Sequence, residues 1–162
     1  MKWLSFRLSY FPGKDAIERK EWNKAENHLE KATQIFPNHS EAVLNLAQAK
    51  WNLEKKEEAF HLIEKLLQNE PESTSAYFLM GQFSLKENQL DKALEYFTKS
   101  IQANPKNIEA WYELGKLYIR QNEAVKAVEA FHQVVQQEPF LAHLRSSELQ
   151  DKLKDRIRRS LS

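Results

Sequence analysis

The sequence predicts an all-α fold: a solenoid of about four helix–turn–helix repeats plus a C-terminal capping helix. Three observations carry this. Pro37, Pro71, Pro105 and Pro139 stand 34 residues apart, and so do Ala25, Ala59, Ala93 and Ala127. The three glycines, Gly13, Gly81 and Gly115, share one slot of the same period, and Ala47 fills it in the remaining repeat. Between these markers Leu, Ala, Glu, Lys and Gln dominate, side chains that lose little freedom in a helix. Self-similarity at such a period belongs to units that bury their apolar faces only by stacking on one another.

The stretch Trp111 to Pro139 shows what each slot does. Trp111, Leu114 and Tyr118 fall at i, i+3 and i+7, on one face of a first helix. Phe131 meets them from a second helix. Gly115 and Ala127 are small where the two helices cross at close range. Pro139 closes the second helix, because its ring rejects continuation and biases the preceding residue away from α geometry. Gln121-Asn122-Glu123 is the turn between the two helices.

Residues 1–37 form an irregular first repeat with an aromatic N-terminal lead-in. Pro12 stands where Leu114 does, so the first helix is expected to begin near Pro12 or to kink there. Trp3, Leu4, Phe6, Leu8 and Phe11 are expected to pack over this repeat, with a homodimer or partner contact through the same aromatic segment as the alternative. Residues 38–71 form the next repeat, with Ser40 as its N-cap and Val43, Leu46, Ala47, Ala59, Ile63 and Leu66 facing inward. Here Val43 replaces the tryptophan and Lys50 the tyrosine. Residues 72–105 place Tyr77, Met80 and Gly81 on the first helix and Ala93, Phe97 and Ser100 on the second. Their turn is Glu87-Asn88-Gln89, with Asn88 suited to a left-handed conformation. Residues 106–139 are the cleanest repeat. Residues 140–162 carry Leu141, Leu144, Leu149, Leu153, Ile157 and Leu161 mostly at i+4 spacing and end in basic side chains, which predicts an amphipathic capping helix. The competing reading of that basic helix is a nucleic-acid or membrane-surface contact.

Composition narrows the chemistry. The net charge is +1, so no global field draws nucleic acid or a membrane surface, and neither is the expected partner. There is no cysteine, hence no disulfide or thiolate metal site. His28, His39, His61, His132 and His143 are dispersed, without a ligand pair at metal spacing. The glycines are spent on helix crossings and leave no phosphate loop. Glutamates such as Glu26, Glu30, Glu54 and Glu58 read as charge decoration on solvated helix faces. No metal, cofactor, small-molecule substrate or enzymatic activity is expected. The apolar run at the N-terminus is interrupted by Arg7 and is shorter than the roughly 20 residues of a membrane span. A cytoplasmic protein is the expectation.

The motif Trp111-x-x-Leu114-Gly115-x-x-Tyr118, Ala127-x-x-x-Phe131 and Pro139 resembles the tetratricopeptide repeat, and the resemblance covers about residues 6–139. It implies a right-handed superhelix whose first helices line a concave groove, and a role as adaptor, co-chaperone or assembly scaffold. Helical angle alone selects the candidate groove residues, a quarter to a third of a turn from the core face. They are Tyr10 and Lys14, then Gln48 and Asn52, then Phe78, Gln82 and Lys86, then Tyr112, Lys116 and Arg120, and the family resemblance adds Asn45 to them. The row Lys14, Gln48, Gln82, Lys116 contains no carboxylate. Ile17, Trp51, Leu85 and Ile119 are expected to pack successive repeats together. Amides can hold an extended peptide backbone and cations a carboxylate. The expected partner is therefore a peptide or helix of another protein, with aliphatic anchors and an acidic group. Some members of the family clamp the C-terminal carboxylate of heat-shock chaperones. Asn45 matches the asparagine of that clamp, whereas Tyr10, Ser75 and Leu79 depart from its pattern.

Overall fold

A computed structural model describes residues 1–137. The expected capping helix at 140–162 and Pro139 lie outside the described residues. The rest is eight α-helices: α1 (Lys2–Glu18), α2 (Trp22–Ile35), α3 (Ser40–Asn52), α4 (Lys56–Asn69), α5 (Thr74–Lys86), α6 (Leu90–Ala103), α7 (Ile108–Arg120) and α8 (Ala124–Gln137). The most extensive contacts join α1 to α2, α3 to α4, α5 to α6 and α7 to α8. Each pair then stacks on the next, as α2 on α3 and α6 on α7.

The turn within each pair is one motif used four times. Lys20, Glu54, Asn88 and Asn122 have φ of 58°, 61°, 57° and 65°. The next N–H reaches back to the helix at 2.8–2.9 Å: Glu21 to the Ala16 carbonyl, Lys55 to Lys50, Gln89 to Ser84 and Glu123 to Tyr118. This is the left-handed cap that satisfies the last carbonyls of a helix. Asn suits it at two sites, but Lys20 and Glu54 hold the conformation against their own preference.

Between pairs, α2, α4 and α6 end two residues before Pro37, Pro71 and Pro105. Those prolines also serve the next helix. The Tyr77 hydroxyl donates to the Pro71 carbonyl at 3.0 Å, and the Trp111 indole N–H to the Pro105 carbonyl at 2.8 Å.

Two details differ from expectation. Helix α1 begins at Lys2, which removes the alternative of a start near Pro12, and it continues through the proline. Pro12 lies on the exposed side, where water can satisfy the carbonyl its missing N–H abandons. The N-cap of α3 is His39, whose Nδ1 accepts the Ala42 N–H at 3.2 Å. Ser40 is already helical, and its hydroxyl donates to Glu70 at the end of α4.

The core sits at the helix crossings. A Cβ added to Gly81 would lie 2.6 Å from Phe97 Cε1, one on Gly115 2.5 Å from Phe131 Cζ, and one on Gly13 2.7 Å from Leu29 Cγ. Ala47 fits the same slot in the second pair, within one core with Ile63. Each cluster straddles neighbouring pairs. Ala42, Leu46 and Ala49 of α3 complete the core of α1 and α2, and Ala76 and Phe83 of α5 complete that of α3 and α4.

Gly81→Ala is expected to cost about 1–3 kcal/mol by overpacking against the buried Phe97 ring. Gly81→Ala with Phe97→Leu should lose less than the sum of the two single changes, and urea melts of the three variants measure this coupling. Glu54→Asn should stabilise by about 0.5–1 kcal/mol by relieving the left-handed residue. An unchanged urea midpoint would show that no strain is stored there.

Candidate functional site

The candidate groove residues occupy the first helix of each pair, in two clusters and a more open middle. In the first cluster Tyr10 is buried and stacks on Phe6 at 5.2 Å between centroids. Its hydroxyl and the Asn45 amide nitrogen are both buried without a hydrogen bond of ordinary geometry. Burial pushes the Tyr10 hydroxyl well above its usual range, and the neighbouring Glu41 carboxylate adds to that. Lys14 reaches the same carboxylate, with Nζ 2.9 Å from Glu41 Oε1. Lys14 thereby holds Glu41 below the usual carboxylate range, and the Tyr10 hydroxyl contributes.

Along α3, Gln48 and Asn52 are half-buried, and the Asn52 side chain donates to the Gln48 carbonyl at 2.8 Å. Along α5, Phe78 is half-buried against the Phe97 ring, 5.5 Å away, while Gln82 and Lys86 are exposed. The second cluster is on α7. Tyr112 meets Phe131 edge-on at 6.0 Å, and the Lys116 ammonium lies 4.8 Å from the Tyr112 ring centroid. Lys116 Nζ also sits 2.7 Å from Glu113 Oε1, whose other oxygen is buried without a partner. Arg120 reaches across to the turn between α5 and α6, donating to Asn88 Oδ1 at 3.1 Å.

The groove row itself carries no acid, but its lysines are met by acids from adjacent rows. Glu41 and Glu113 were not among the candidates, although Glu113 lies three residues before Lys116 on the same helix. Cationic heads that looked free are paired at both ends. Lys86 has no ion pair among the described residues. Trp51 is an inter-repeat packing residue: it is buried and stacks on Phe83 of α5 at 4.1 Å.

A second charged constellation overturns the reading of Glu26, Glu30 and Glu58 as surface decoration. Lys50, 6 % exposed, donates to Glu26 at 2.8 Å, Glu30 at 2.9 Å and Glu58 at 2.7 Å. Lys55 adds two further bonds to Glu26. Burial alone would push Glu26 up and Lys50 down. The hydrogen bonds across α2, α3 and α4 outweigh it, lowering the Glu26 pKa and raising that of Lys50. The signal was in the sequence: a lysine in an aromatic core slot needs counter-charges nearby. Among the described residues no group of three His, Asp or Glu is placed to hold a metal. No described helix is long and apolar enough to cross a membrane.

Glu26 has a depressed pKa, so its contribution is present above the unfolded carboxylate pKa of about 4.3 and is lost as pH falls through the folded value. Lys50→Met should therefore cost about 1.5–3 kcal/mol at neutral pH, because it removes a charged hydrogen bond from buried Glu26 and leaves Lys55 to hold that carboxylate. The deficit should shrink toward pH 4 as Glu26 takes up a proton. Urea titrations at the two pH values measure it, and a deficit independent of pH would argue for lost packing rather than charge.

Comparison with known proteins places this geometry. No curated protein sequence matches the chain closely enough to count as a relative. Among solved structures, the fold is similar to one described as the MamA protein, with 21 % identity, a TM-score of 0.69, and 93 % of this chain and 83 % of that one covered. It is similar to residues 41 to the end of MamA from Desulfovibrio magneticus RS-1, with 22 % identity, a TM-score of 0.67, and 83 % and 76 % of the two chains covered. It is also similar to YrrB, described as a TPR protein with an unusual peptide-binding site, with 21 % identity, a TM-score of 0.64, and 86 % and 73 % covered. A tetratricopeptide-repeat model matches residues 16–83 and 84–147, most of the sequence. With eight helices among the described residues paired at the period read from its prolines, alanines and glycines, the chain belongs to the tetratricopeptide-repeat family.

Proposed function

We propose that this protein is a non-enzymatic interaction module, an adaptor, co-chaperone or assembly scaffold, that holds a peptide or helix of another protein along its first helices. The observation that carries the reading is the part of that face running from its open middle onto α7. It presents half-buried Phe78 and Tyr112 together with exposed Gln82, Lys86 and Arg120. Aromatic groups of this kind supply most of the binding energy at an interface, and the charges set orientation and on-rate. The family mediates protein–protein contacts, and the YrrB structure is described as having a peptide-binding site. Because Lys14 and Lys116 have carboxylate partners, the acidic group of the ligand falls to Lys86 and Arg120.

The test begins with the partner recovered by cross-linking and pull-down from the native cell. Lys86→Glu with Arg120→Glu should weaken it by about tenfold or more without lowering the melting temperature, since both side chains are exposed. Replacing the basic residues of 140–162 by alanine should matter much less. The reverse ranking would move the site to the basic C-terminal segment.

A further inference from the structure

Two apolar faces are exposed among the described residues, one at each end of the array. On α1, Leu4, Leu8 and Phe11 follow i, i+4 and i+7 and form one stripe. On α8, Val125, Val128 and Val135 are 73 %, 53 % and 39 % exposed. Ala124 and His132 share the face of these valines, while Lys126 and Glu129 lie off it. For the α8 stripe the chain itself supplies a cover.

The repeat register shows what such a face takes. Val128 and Val135 align with Phe60 and Leu67 of α4 and with Leu94 and Ile101 of α6. On α4 they meet Ala76, Leu79, Met80 and Phe83 of α5, and on α6 they meet Ala110, Leu114 and Leu117 of α7. Phe60 and Phe83, for example, meet edge-on at 5.9 Å. Residues 138–162 follow α8 directly and lie outside the described residues. At the strict 34-residue period they bring Leu144 to the alanine slot, Glu148 to that of Met80 and Leu114, and Asp151 to that of Phe83 and Leu117. That contact would be overpacked and would bury two carboxylates. Leu8 and Asp15 hold the first and last of those slots in α1, the first helix of the array.

An offset of two residues removes the conflict. Ser146 then takes the alanine slot, Leu149 that of Leu79, and Leu153 that of Phe83 and Leu117. Gln150 takes the slot of Met80 and Leu114, at the flank of the face. The slots that meet a second helix within a pair, those of Trp111, Gly115 and Tyr118, receive Ser147, Asp151 and Lys154, which suit solvent. His143 takes the N-cap slot, where His39 caps α3 by accepting the Ala42 N–H. The connection becomes 138–143, two residues longer than 36–39, 70–73 and 104–107. Leu149, Leu153 and Ile157 then continue one stripe at i, i+4 and i+8. An isolated helix of this length is marginal in water, so that stripe needs an apolar seat, and the valines of α8 are the one nearest along the chain.

We infer that residues 144–157 seat on the valine stripe of α8 as a ninth helix, two residues out of the repeat register, closing the array rather than extending it. This is independent of the groove.

Two measurements on the full chain test it. In hydrogen exchange the amides of 146–157 should be protected in wild type. Val128→Asp with Val135→Asp should lower that protection about tenfold or more and leave the amides of α3 unchanged. The chain has no cysteine, so introduced pairs are unique. By the alignment with Phe60 and Phe83, a short bismaleimide should link Val128→Cys to Leu153→Cys within one chain, and link Val128→Cys to Asp151→Cys about tenfold less. Unprotected amides in wild type overturn the inference, as does protection that the aspartates leave intact. Preferred linking through position 151 overturns the offset. A product of the Leu153 pair that joins two chains overturns it in favour of a second copy on α8.

Discussion

The close crossing of two helices within each pair is the constraint on which the structure depends. One large side chain of the second helix lies directly against the backbone of the first: Phe131 on Gly115, Phe97 on Gly81 and Leu29 on Gly13. The missing Cβ is what lets the ring sit there. The crossing fixes the separation of the helices, and so determines which rows can point at the next pair and which toward the groove. Interiors packed this densely have little room to adjust. A change of one methyl group at these slots therefore reaches the relative placement of whole helices.

The row that follows the glycine slot shows how far the scheme bends. Its members are Ala16, Lys50, Ser84 and Tyr118. Ala16 and Ser84 are buried, and Ser84 keeps its hydroxyl without a partner. Lys50 is the most demanding occupant, because a buried ammonium is tolerable only when fully hydrogen-bonded. Three glutamates from two other helices meet that demand. The first two repeats are thereby joined by buried charge in addition to the apolar contact of Ala42, Leu46 and Ala49 with α1 and α2. This explains how a repeat that departs so far from the motif still stacks in register.

Much of the fold was legible because small residues and prolines mark backbone geometry directly. Gly115, Ala127 and the proline ladder state where helices cross and end, whatever surrounds them. The left-handed turns were legible only where Asn88 and Asn122 signal them. Lys20 and Glu54 adopt the same backbone because the flanking helices leave one geometry for the reversal, a tertiary demand that residue type does not record. The groove was half legible. Helical angle found Tyr112 and Lys116 on one face, but it does not say that Glu113 leans toward Lys116 or that Glu41 of α3 reaches Lys14 of α1. Pairings of long side chains depend on rotamers and on the neighbouring helix. The same holds for Glu26, Glu30 and Glu58, which look solvated along their own helices and converge only when α2, α3 and α4 are assembled.

The two ends of the array differ in kind. On α8, Val128 and Val135 are exposed. They align with Phe60 and Leu67 of α4 and with Leu94 and Ile101 of α6, which pack into the cores shared with the following pair. Phe60 meets Phe83 of α5 edge-on at 5.9 Å in this way. The final described helix thus retains the residues of a stacking surface, and the chain continues beyond it. At the other end, Leu8 and Asp15 replace the small and apolar residues that stacking requires. Solenoid stability sums over neighbouring interfaces, so a surface that can stack and one that cannot give the array a direction. Helix α8 presents the residue types that stacking uses elsewhere in the array, and α1 does not. The apolar stripe of α1 is therefore not an unfinished repeat but a surface of a different kind.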